Sequence, residues 1–435
     1  MIIGLDAKRA MANHTGLGNY SRYMVDILAT YHQSNNYRLF VPKEKKNSSF
    51  DKLLHHNNVR SSFPQSTTMK RFSSLWRTWF IKKDLVRNGI QLYHGLSNEL
   101  PIGIHKTGIK SVVTIHDLIF LRYPEYYKPI DRKIYNFKFR YACQVADRIV
   151  AISECTKRDI MHFYHIPEEK IDVVYQGCDP QYSVRVSESR KSEVRLKYDL
   201  PEKFILNVGS IEERKNLMLA VQALKDIPSD VHLVAIGRKT PYVNKIMDYV
   251  AENNLEDRVH LIHDLPHKDL PAVYQSATLF VYPSRFEGFG IPIIEAMHSQ
   301  LPVIAATGSC LEEAGGKDSL YVDPDDVFGM AEAMNRILED PALREKMIAS
   351  GNIYLQRFQE NILADSMSKV YSKCFEGTES ATISQQDIQV EDYRMNWSKR
   401  PYKQILVENS SFLTIVYIQI RFDRDLLSLS QNNIV

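Results

Sequence analysis

The chain alternates between short apolar runs and longer segments in which apolar residues recur every three or four positions. The apolar runs of the first half read "MIIGL", "YRLFV", "SVVTIHD", "DRIVAIS" and "IDVVYQG". In the clearest of the longer segments, six positions fall on one helical face: Tyr20, Tyr23, Met24, Ile27, Leu28 and Tyr31. Continuous apolar strands that alternate with amphipathic helices are typical of a parallel, doubly wound α/β sheet.

This alternation is interrupted once. Residues 180–200 are polar and charged, and the apolar runs then return as "KFILNVG", "VHLVAIG", "RVHLI", "TLFVYP" and "PVIAA". We therefore predict two doubly wound, Rossmann-like domains that face each other across a cleft. They comprise residues 1–185 and 200–354, with a hinge near 180–200. In such folds the ligand lies in the crevice at the carboxyl ends of the strands.

The remaining residues follow a different pattern. The helical segment 355–375 is predicted to close the first domain. Residues 376–435 form a polar, turn-rich tail that is interrupted by the strand-like run "SFLTIVYIQIRF". We predict that this tail is an appendage, and its role is unknown.

The composition is that of an ordinary globular protein, with 435 residues of which 44% are hydrophobic and 25% charged. The formal net charge of +3 gives no strong field, so we expect no nucleic-acid partner. Five scattered cysteines without a C-x-x-C pair are typical of reduced thiols in a cytosolic protein. The N-terminus does not resemble a signal peptide, and no apolar run reaches the roughly 20 residues of a membrane span. We therefore expect a cytoplasmic protein.

The loop after the run "TLFVYP" carries the strongest candidate site. In "SRFEGFGIPIIEAM", Gly288 and Gly290 allow a tight turn, and a helix is predicted to start near Ile291 with its free N–H groups facing the crevice. Such a helix start is a ready anion site. Glu287 lies in the loop and Glu295 one turn into the helix, so both carboxylates can accept hydrogen bonds from sugar hydroxyls. The alternative is that Glu295 merely complements the helix dipole.

A second loop, "VGSIEERKNLMLAV", places Arg214 and Lys215 before a predicted helix that Asn216 could cap. Cations at a helix start are unfavourable unless an anion compensates them, and a diphosphate would do so. The alternative is a solvated basic turn.

The first domain offers two weaker candidates. His116 and Asp117 end the run "SVVTIHD", where crevice residues belong, although a hydrogen-bonded core histidine is the alternative. Gly16 and Gly18 follow the first strand and open the Tyr20 helix. No cysteine or histidine cluster has zinc spacing, and the "DPD" of 323–325 is typical of a turn before a helix, so we expect no metal site.

These residues and their order resemble a retaining glycosyltransferase of family 4 with the GT-B fold, in its mannosyltransferase-like branch. The resemblance covers roughly residues 1–375. The matching motifs are "GLGNYSR", "TIHDLIFLRYPE", "VAISECTKRDI", "LNVGSIEERKN", "LPHKDLPAVYQSATLFVYPSRFEGFGIPIIEAM" and "GGKDSLYVDPDD". The two glutamates separated by seven residues around "EGFGIP" are the most specific of them.

The resemblance implies a sugar-nucleotide donor that is held mainly by the second domain. Glu295 would bind the ribose hydroxyls, and Glu287 would contact the hydroxyls of the transferred sugar. The backbone N–H groups near Phe289, Gly290 and Ile291 would meet the sugar and the diphosphate. The donor is a substrate, with GDP-mannose as the first expectation, and no cofactor is expected.

The resemblance also assigns roles in the other loops. Arg214 and Lys215 would hold the diphosphate, His116 would touch the sugar, and Gly16 and Gly18 would close over the phosphates. Together these groups imply metal-independent chemistry, because N–H groups and cations stabilise the leaving diphosphate.

The chain departs from the family at one position. Many relatives carry an arginine directly after the strand-end glycine, where this chain has Ser210. Phosphate binding would then depend more on Arg214.

A basic amphipathic segment suggests where the acceptor is found. Residues 69–87, "MKRFSSLWRTWFIKKDLVR", interleave six basic residues and one acidic residue with aromatic and aliphatic ones. Such segments lie on anionic membrane surfaces, which would suit a glycan or lipid-linked glycan acceptor on the inner face of the membrane. The alternative is a core-packed helix with solvated lysines. Residues 126–141 show a similar, weaker pattern.

The sequence leaves two other functions open. One is a different chemistry on the same fold, either a sugar-nucleotide epimerase or a phosphorylase. The other is a catalytically silent scaffold that binds a nucleotide and a partner, against which the presence of His116 and Glu287 argues.

Overall fold

The computed structural model describes residues 1–13 and 15–376 and contains two parallel sheets. The first sheet has seven strands in the order β3-β2-β1-β4-β5-β6-β7. They are β1 (Ile2–Asp6), β2 (Asn36–Phe40), β3 (Val59–Ser62), β4 (Leu92–Gly95), β5 (Lys110–Ile115), β6 (Arg148–Ala151) and β7 (Ile171–Val173).

The second sheet has six strands in the order β10-β9-β8-β11-β12-β13. They are β8 (Phe204–Val208), β9 (His232–Ile236), β10 (Val259–Ile262), β11 (Leu279–Tyr282), β12 (Val303–Ala306) and β13 (Leu320–Val322). All pairings within both sheets are parallel, and the predicted two-domain GT-B architecture is confirmed.

Helices connect the strands. Those of the first domain are α1 (Lys8–Ala12), α2 (Gly16–Tyr31), α3 (Ser48–Leu53), α4 (Thr67–Arg71), α5 (Ser73–Leu75), a π-helical turn (Trp76–Phe80), α6 (Ile81–Arg87), α7 (Ile119–Arg122), α8 (Pro129–Val145) and α9 (Glu154–Tyr164). The others are α10 (Glu188–Tyr198), α11 (Leu217–Ala223), α12 (Tyr242–Glu252), α13 (Leu270–Tyr274), α14 (Ile291–His298), α15 (Leu311–Gly315), α16 (Val327–Glu339), α17 (Pro341–Tyr354) and α18 (Glu360–Lys373). Short 3-10 turns lie at Ile104–Lys106, Pro124–Tyr126, Glu168–Lys170, Pro180–Tyr182, Glu213–Lys215, Leu224–Asp226, His267–Asp269 and Leu355–Phe358.

The core of the first domain lies between its sheet and the flanking helices. Of the six positions expected on one face of α2, Tyr20, Met24, Ile27 and Leu28 are buried, whereas Tyr31 is 45% exposed near the end of the helix. The last helix, α18, returns to pack against α2, and residues such as Met367 join the same apolar cluster. The carboxyl-terminal helix therefore contributes to the first domain.

The segment 180–200, predicted as a hinge, contains the helix α10. Ser187 caps this helix by accepting a hydrogen bond from the N–H of Arg190, and Val194 is buried in an apolar cluster of the second domain. Its polar composition reflects a helix that buries one side chain and exposes most of its surface. Of the predicted tail 376–435, all but the first residue lies outside the described part of the chain, as does the run at 411–422.

The basic segment 69–87 packs partly into the core. Trp76, Ile81 and Leu85 are buried, while Phe72 and Phe80 are 44% and 46% exposed. The core-packed alternative thus accounts for the buried part of the segment, and the side chains of Phe72 and Phe80 remain exposed. Among the residues that the structure describes, no helix combines the length and the apolar character needed to cross a membrane.

Each sheet reverses its strand order once, between β1 and β4 in the first and between β8 and β11 in the second. At such a switch point the neighbouring loops diverge to opposite faces of the sheet and leave a crevice at the carboxyl ends of the strands. The loops after β8 and β11 contain Arg214, Lys215 and Glu287, so these residues lie at the crevice of the second sheet.

Candidate active site

The loop after β11 ends in a helix start with unsatisfied donors. Gly290 adopts φ +134°, which disfavours a side chain, and α14 begins at Ile291 as predicted. Within the described residues, the backbone N–H groups of Phe289, Gly290 and Ile291 donate to no protein acceptor. Three such donors at the positive end of a helix attract an anion.

Gly288 lies at a contact between the two domains. A Cβ atom built on this glycine would lie 2.1 Å from the carbonyl oxygen of His116, which no side chain tolerates. On the other side, Ser153 Oγ donates a hydrogen bond of 2.8 Å to the carbonyl oxygen of Gly288. The glycine therefore allows β11's loop to touch the first domain directly.

Glu287 is the centre of an ion-pair cluster. Its Oε1 lies 2.5 Å from Lys215 Nζ and 3.0 Å from Arg214 Nη1, and it accepts a 2.7 Å hydrogen bond from Ser284 Oγ. Burial alone would raise the pKa of Glu287, but Lys215 and Arg214 outweigh burial and lower it to about 2. The carboxylate is therefore ionised at any physiological pH.

The cations of this cluster are fixed from several sides. Arg214 Nη2 also pairs with Glu212 at 2.8 Å, and its Nη1 donates to the carbonyl oxygen of Phe286. Burial lowers the pKa of Arg214, but Glu287 and Glu212 reverse this effect and raise it above its usual value. The anion that compensates Arg214 and Lys215 in this structure is Glu287 of the same chain, which was not expected from the sequence, and their contact with a diphosphate stays a prediction.

The loop differs from expectation at the neighbouring residue as well. Asn216 precedes α11 but does not cap it, since its backbone lies in the left-handed region at φ +56°. Its side-chain amide instead donates a 2.7 Å hydrogen bond to the carbonyl oxygen of Pro324. Asn216 thus ties the loop after β8 to the turn after β13.

Glu295 lies apart from this cluster. Tyr274 donates a 2.9 Å hydrogen bond to its Oε2, and a hydroxyl interaction with Tyr182 adds to this contact. Burial raises the pKa of Glu295 to about 7, against these two hydrogen bonds. Glu287 and Glu295 share no partner, so the two carboxylates can bind different parts of one ligand.

His116 is buried, with 5% of its surface exposed, and both ring nitrogens have protein partners. Nε2 lies 2.9 Å from the carbonyl oxygen of Leu96, which fixes it as a donor, and Nδ1 accepts a 3.3 Å hydrogen bond from Gln176 Nε2. Burial lowers the pKa of His116 to about 4, so the ring is neutral. His116 is therefore a hydrogen-bonded core histidine, and it also follows the carboxyl end of β5, where crevice residues are expected.

Asp117 and the two glycines complete the first domain's side. Asp117 accepts a 3.1 Å hydrogen bond from the N–H of Ile119, and burial raises its pKa. A Cβ atom on Gly18 would lie 1.9 Å from the carbonyl oxygen of Asn13, so the turn into α2 requires glycine. Around Gly16 there is open space, since no described atom lies within 4 Å of such a Cβ.

The structure brings together Arg214, Lys215 and Glu287, and it places Gly288 against His116 and Asp117. Sequence reasoning missed the side chains that hold the glutamates and His116. These are Tyr182, Tyr274, Ser284 and Gln176. Ser284 lies inside the quoted motif and could have been found there, because a hydroxyl three residues before a carboxylate in a tight loop can reach it. The others come from distant segments and give no local signal.

A second contact joins the domains. The carboxylate of Glu313, on α15, accepts hydrogen bonds of 2.6 Å and 2.8 Å from the N–H groups of Glu154 and Cys155. These amides are the first two donors of α9, whose positive end favours a carboxylate. The second domain thus caps a helix of the first.

The described residues contain no group of three or more histidine, cysteine, aspartate or glutamate side chains that could hold a metal ion. The cations of the site are those of Arg214 and Lys215.

Family models match both domains. Residues 17–182 match the model described as "Glycosyltransferase Family 4", and residues 189–353 match "Glycosyl transferases group 1". With the two parallel sheets and the crevice at their switch points, the fold and the loops define a sugar-transferring enzyme of the GT-B class. Together the two models cover most of the described residues, so the chain belongs to the glycosyltransferases of these families.

Curated relatives carry sugar-transfer names. "O-antigen chain mannosyltransferase B" of Escherichia coli is 28% identical over 79% of this chain and 92% of its own length. "O-antigen chain mannosyltransferase RfbU" of Salmonella typhimurium is 27% identical over 57% of this chain and 65% of its own length. Among solved structures, Anabaena HepE in complex with UDP and glucose superposes with a TM-score of 0.65 at 20% identity, over 86% of this chain and 99% of that one.

Proposed function

We propose that the protein is a retaining, metal-independent hexosyltransferase that moves mannose from a nucleotide-sugar, GDP-mannose first, to a growing surface polysaccharide. The observation that carries this proposal is the pairing of a charged cluster with free helix-start donors in one loop, at Glu287 and residues 289–291. The mannosyltransferase names of the relatives support the choice of sugar.

The donor would occupy the crevice of the second domain. The free N–H groups of α14 and the cations of Arg214 and Lys215 would stabilise the diphosphate as it leaves. Glu295, which Tyr274 holds apart from the charged cluster, would accept hydrogen bonds from the ribose hydroxyls. Glu287, held between the two cations, would orient the hydroxyls of the transferred sugar.

Retention of the anomeric configuration is proposed to occur by attack on the same face from which the diphosphate leaves. A double displacement needs a carboxylate nucleophile. Glu287 is poorly suited to that role, because two cations and a serine hydroxyl contact its Oε1 and hold its pKa at about 2. In the same-face reaction, a donor phosphate oxygen takes the proton of the acceptor hydroxyl.

The acceptor is proposed to be a glycan or lipid-linked glycan that enters on the side of the first domain. The exposed aromatic residues Phe72 and Phe80, among the basic residues of 69–87, support a position on an anionic membrane surface. The cytoplasmic, membrane-peripheral location is part of the same proposal.

A panel of GDP- and UDP-sugars tests the function. The purified protein is mixed with each sugar nucleotide, with EDTA or with magnesium, and thermal stability, nucleotide release and product anomer are measured. We expect one sugar nucleotide to stabilise the protein. In the presence of EDTA, the protein should transfer its sugar to a product that keeps the anomeric configuration of the donor. Loss of turnover in EDTA, or an inverted product, would contradict the mechanism. Conversion without acceptor would favour an epimerase, and dependence on free phosphate would favour a phosphorylase. Binding without turnover would favour a catalytically silent scaffold.

A further inference from the structure

A second charged network lies at the switch point of the first sheet. Arg77 is buried, and its Nε and Nη2 donate to the carboxylate of Asp6, the last residue of β1. Its Nη1 donates to Glu99 Oε2, just after β4, and Lys138 of α8 lies 3.5 Å from the same oxygen. Asp6 and Glu99 are thus both paired with cations. The network lies at the carboxyl ends of β1 and β4, where a doubly wound fold binds its ligand.

In the described part of the chain, two further cations of this region form no ion pair. Lys8 and Arg9 begin α1, which follows the carboxyl end of β1, and both side chains are partly exposed. Among the described residues, neither the Lys8 ammonium nor the Arg9 guanidinium has a carboxylate within 4 Å. The repulsion of Arg77, followed by burial, lowers the pKa of Lys8 to about 8. Two half-buried like charges without an anion are costly, and a bound oxyanion would relieve this cost.

The position of Arg9 connects this region to the reaction centre. Its charge acts on His116 on one side and on Tyr135 on the other. Tyr135 stacks on Phe139 with ring centroids 5.8 Å apart and meets Phe120 and Tyr127 edge-on, yet it remains 38% exposed, so part of its ring is accessible to a ligand. An exposed aromatic ring near the charge of Arg9 fits a sugar that carries a negative group.

We propose that Lys8 and Arg9, above the Asp6–Arg77–Glu99 network, bind an oxyanion that the acceptor carries, while Tyr135 packs against its sugar. This inference rests on the proposed transferase function and names its acceptor as anionic. The oxyanion is a phosphate that links the glycan to its carrier, or a carboxylate on an acidic sugar. Arg77 acts as a positioning residue, because its own charge is already paired.

Three synthetic acceptors with the same sugar and alkyl chain test the proposal: one joined through a diphosphate, one as a neutral glycoside and one as a uronic acid glycoside. The variants Lys8→Met and Arg9→Gln are compared with the wild type, and Lys52→Ala removes an exposed charge elsewhere in the domain as a control. We expect each variant to raise KM for one anionic acceptor about tenfold or more, the weight of a charge-assisted hydrogen bond. KM for the neutral glycoside should change much less than KM for that anionic acceptor, and Lys52→Ala should change neither.

A raised KM for the diphosphate-linked acceptor would identify the oxyanion as a linking phosphate. A raised KM for the uronic acid glycoside would identify it as a sugar carboxylate. An equal loss with the charged and neutral acceptors, or no loss with any, would overturn the proposal. If the wild type turns over no sugar nucleotide, the proposed function fails, and the oxyanion site is judged separately by calorimetry. In that case, tighter binding of either anionic acceptor to the wild type than to a Lys8→Met/Arg9→Gln double variant supports the site, and equal binding of both overturns it.

Discussion

The carboxylate of Glu287 has two opposing effects on the cations beside it. It neutralises Lys215 and Arg214 in the free protein, which removes the repulsion that two adjacent cations would otherwise feel. It also competes with a bound diphosphate for the same hydrogen-bond donors. A change at Glu287 should therefore affect turnover and diphosphate binding in opposite directions.

The variant Glu287→Gln keeps the shape of the side chain and removes its charge. We expect kcat to fall about 100-fold, the order of magnitude for removing one preorganised group from an active site. The affinity for the free nucleoside diphosphate should rise, because Lys215 and Arg214 lose their internal anion. Steady-state kinetics and calorimetry measure the two effects. Glu213→Gln, an exposed neighbour in the loop after β8, is the control and should change neither. A parallel loss of turnover and of diphosphate affinity would refute this account.

Glu295 should make nucleotide binding depend on pH. Its pKa of about 7 in the free protein means that the carboxyl is largely protonated at pH 6 and ionised at pH 8. Because an ionised carboxylate is the better acceptor for ribose hydroxyls, affinity should fall as pH drops through 7, by up to about tenfold per unit. Calorimetric titration with the nucleoside diphosphate between pH 5.5 and 8.5 measures this slope.

The variant Glu295→Gln should bind weakly at every pH and lose the slope. Tyr274→Phe removes one of the hydrogen bonds that hold the pKa down, so it should shift the midpoint upwards. A wild-type affinity that does not change with pH would count against a role of Glu295 in ribose binding. The raised pKa also means that Glu295 contributes less to stability as pH rises from about 4.5 to 7, since the folded state binds the extra proton.

Regular elements followed from local pattern, whereas side-chain partners did not. The run "KFILNVG" became β8, and the start of α14 followed the glycines of its loop as predicted, because strand periodicity and backbone preferences are encoded locally. The partners of Glu295 and His116 come from segments far along the chain, such as Tyr182 and Gln176, and only the folded geometry brings them near. Local pattern therefore located the crevice loops but not the charge balance within them.

The segment 69–87 shows the same division between local pattern and tertiary contacts. Its amphipathic pattern was visible in the sequence, but not which residues face the core. Arg77, counted among the basic residues, is buried in ion pairs with Asp6 and Glu99 and is not available to a membrane. The exposed part is an aromatic pair, Phe72 and Phe80, with basic residues around it.

We expect the double variant Phe72→Ser/Phe80→Ser to lose binding to anionic vesicles without loss of fold. Each exposed aromatic ring contributes about 1.5–3 kcal/mol when it is fully removed from water, so even partial insertion of two rings is measurable. Sedimentation with vesicles that contain anionic lipid, against vesicles of neutral lipid alone, gives the binding. Equal sedimentation of the variant and the wild type would remove the membrane surface from the proposal.

The two α/β domains are joined near the crevice by a small set of polar contacts that depend on closure. Ser153 donates to the carbonyl oxygen of Gly288, and Glu313 caps α9 from the opposite domain. Closure of this kind brings Gly288 against His116 and limits the access of water to a reactive donor. A single substitution at Glu313 removes the carboxylate that makes this contact, and it leaves both sheets intact.

We expect Glu313→Ala to expose the first amides of α9 and to raise donor hydrolysis relative to transfer. The carboxylate holds the N–H groups of Glu154 and Cys155, so their hydrogen exchange should become about tenfold faster, as expected for the loss of charge-assisted hydrogen bonds. Glu312→Ala, an exposed neighbour on the same helix, should leave both quantities unchanged. Faster exchange with an unchanged ratio of hydrolysis to transfer would show that Glu313 caps the helix without controlling closure. Unchanged exchange would mean that the cap does not hold the domains together in solution.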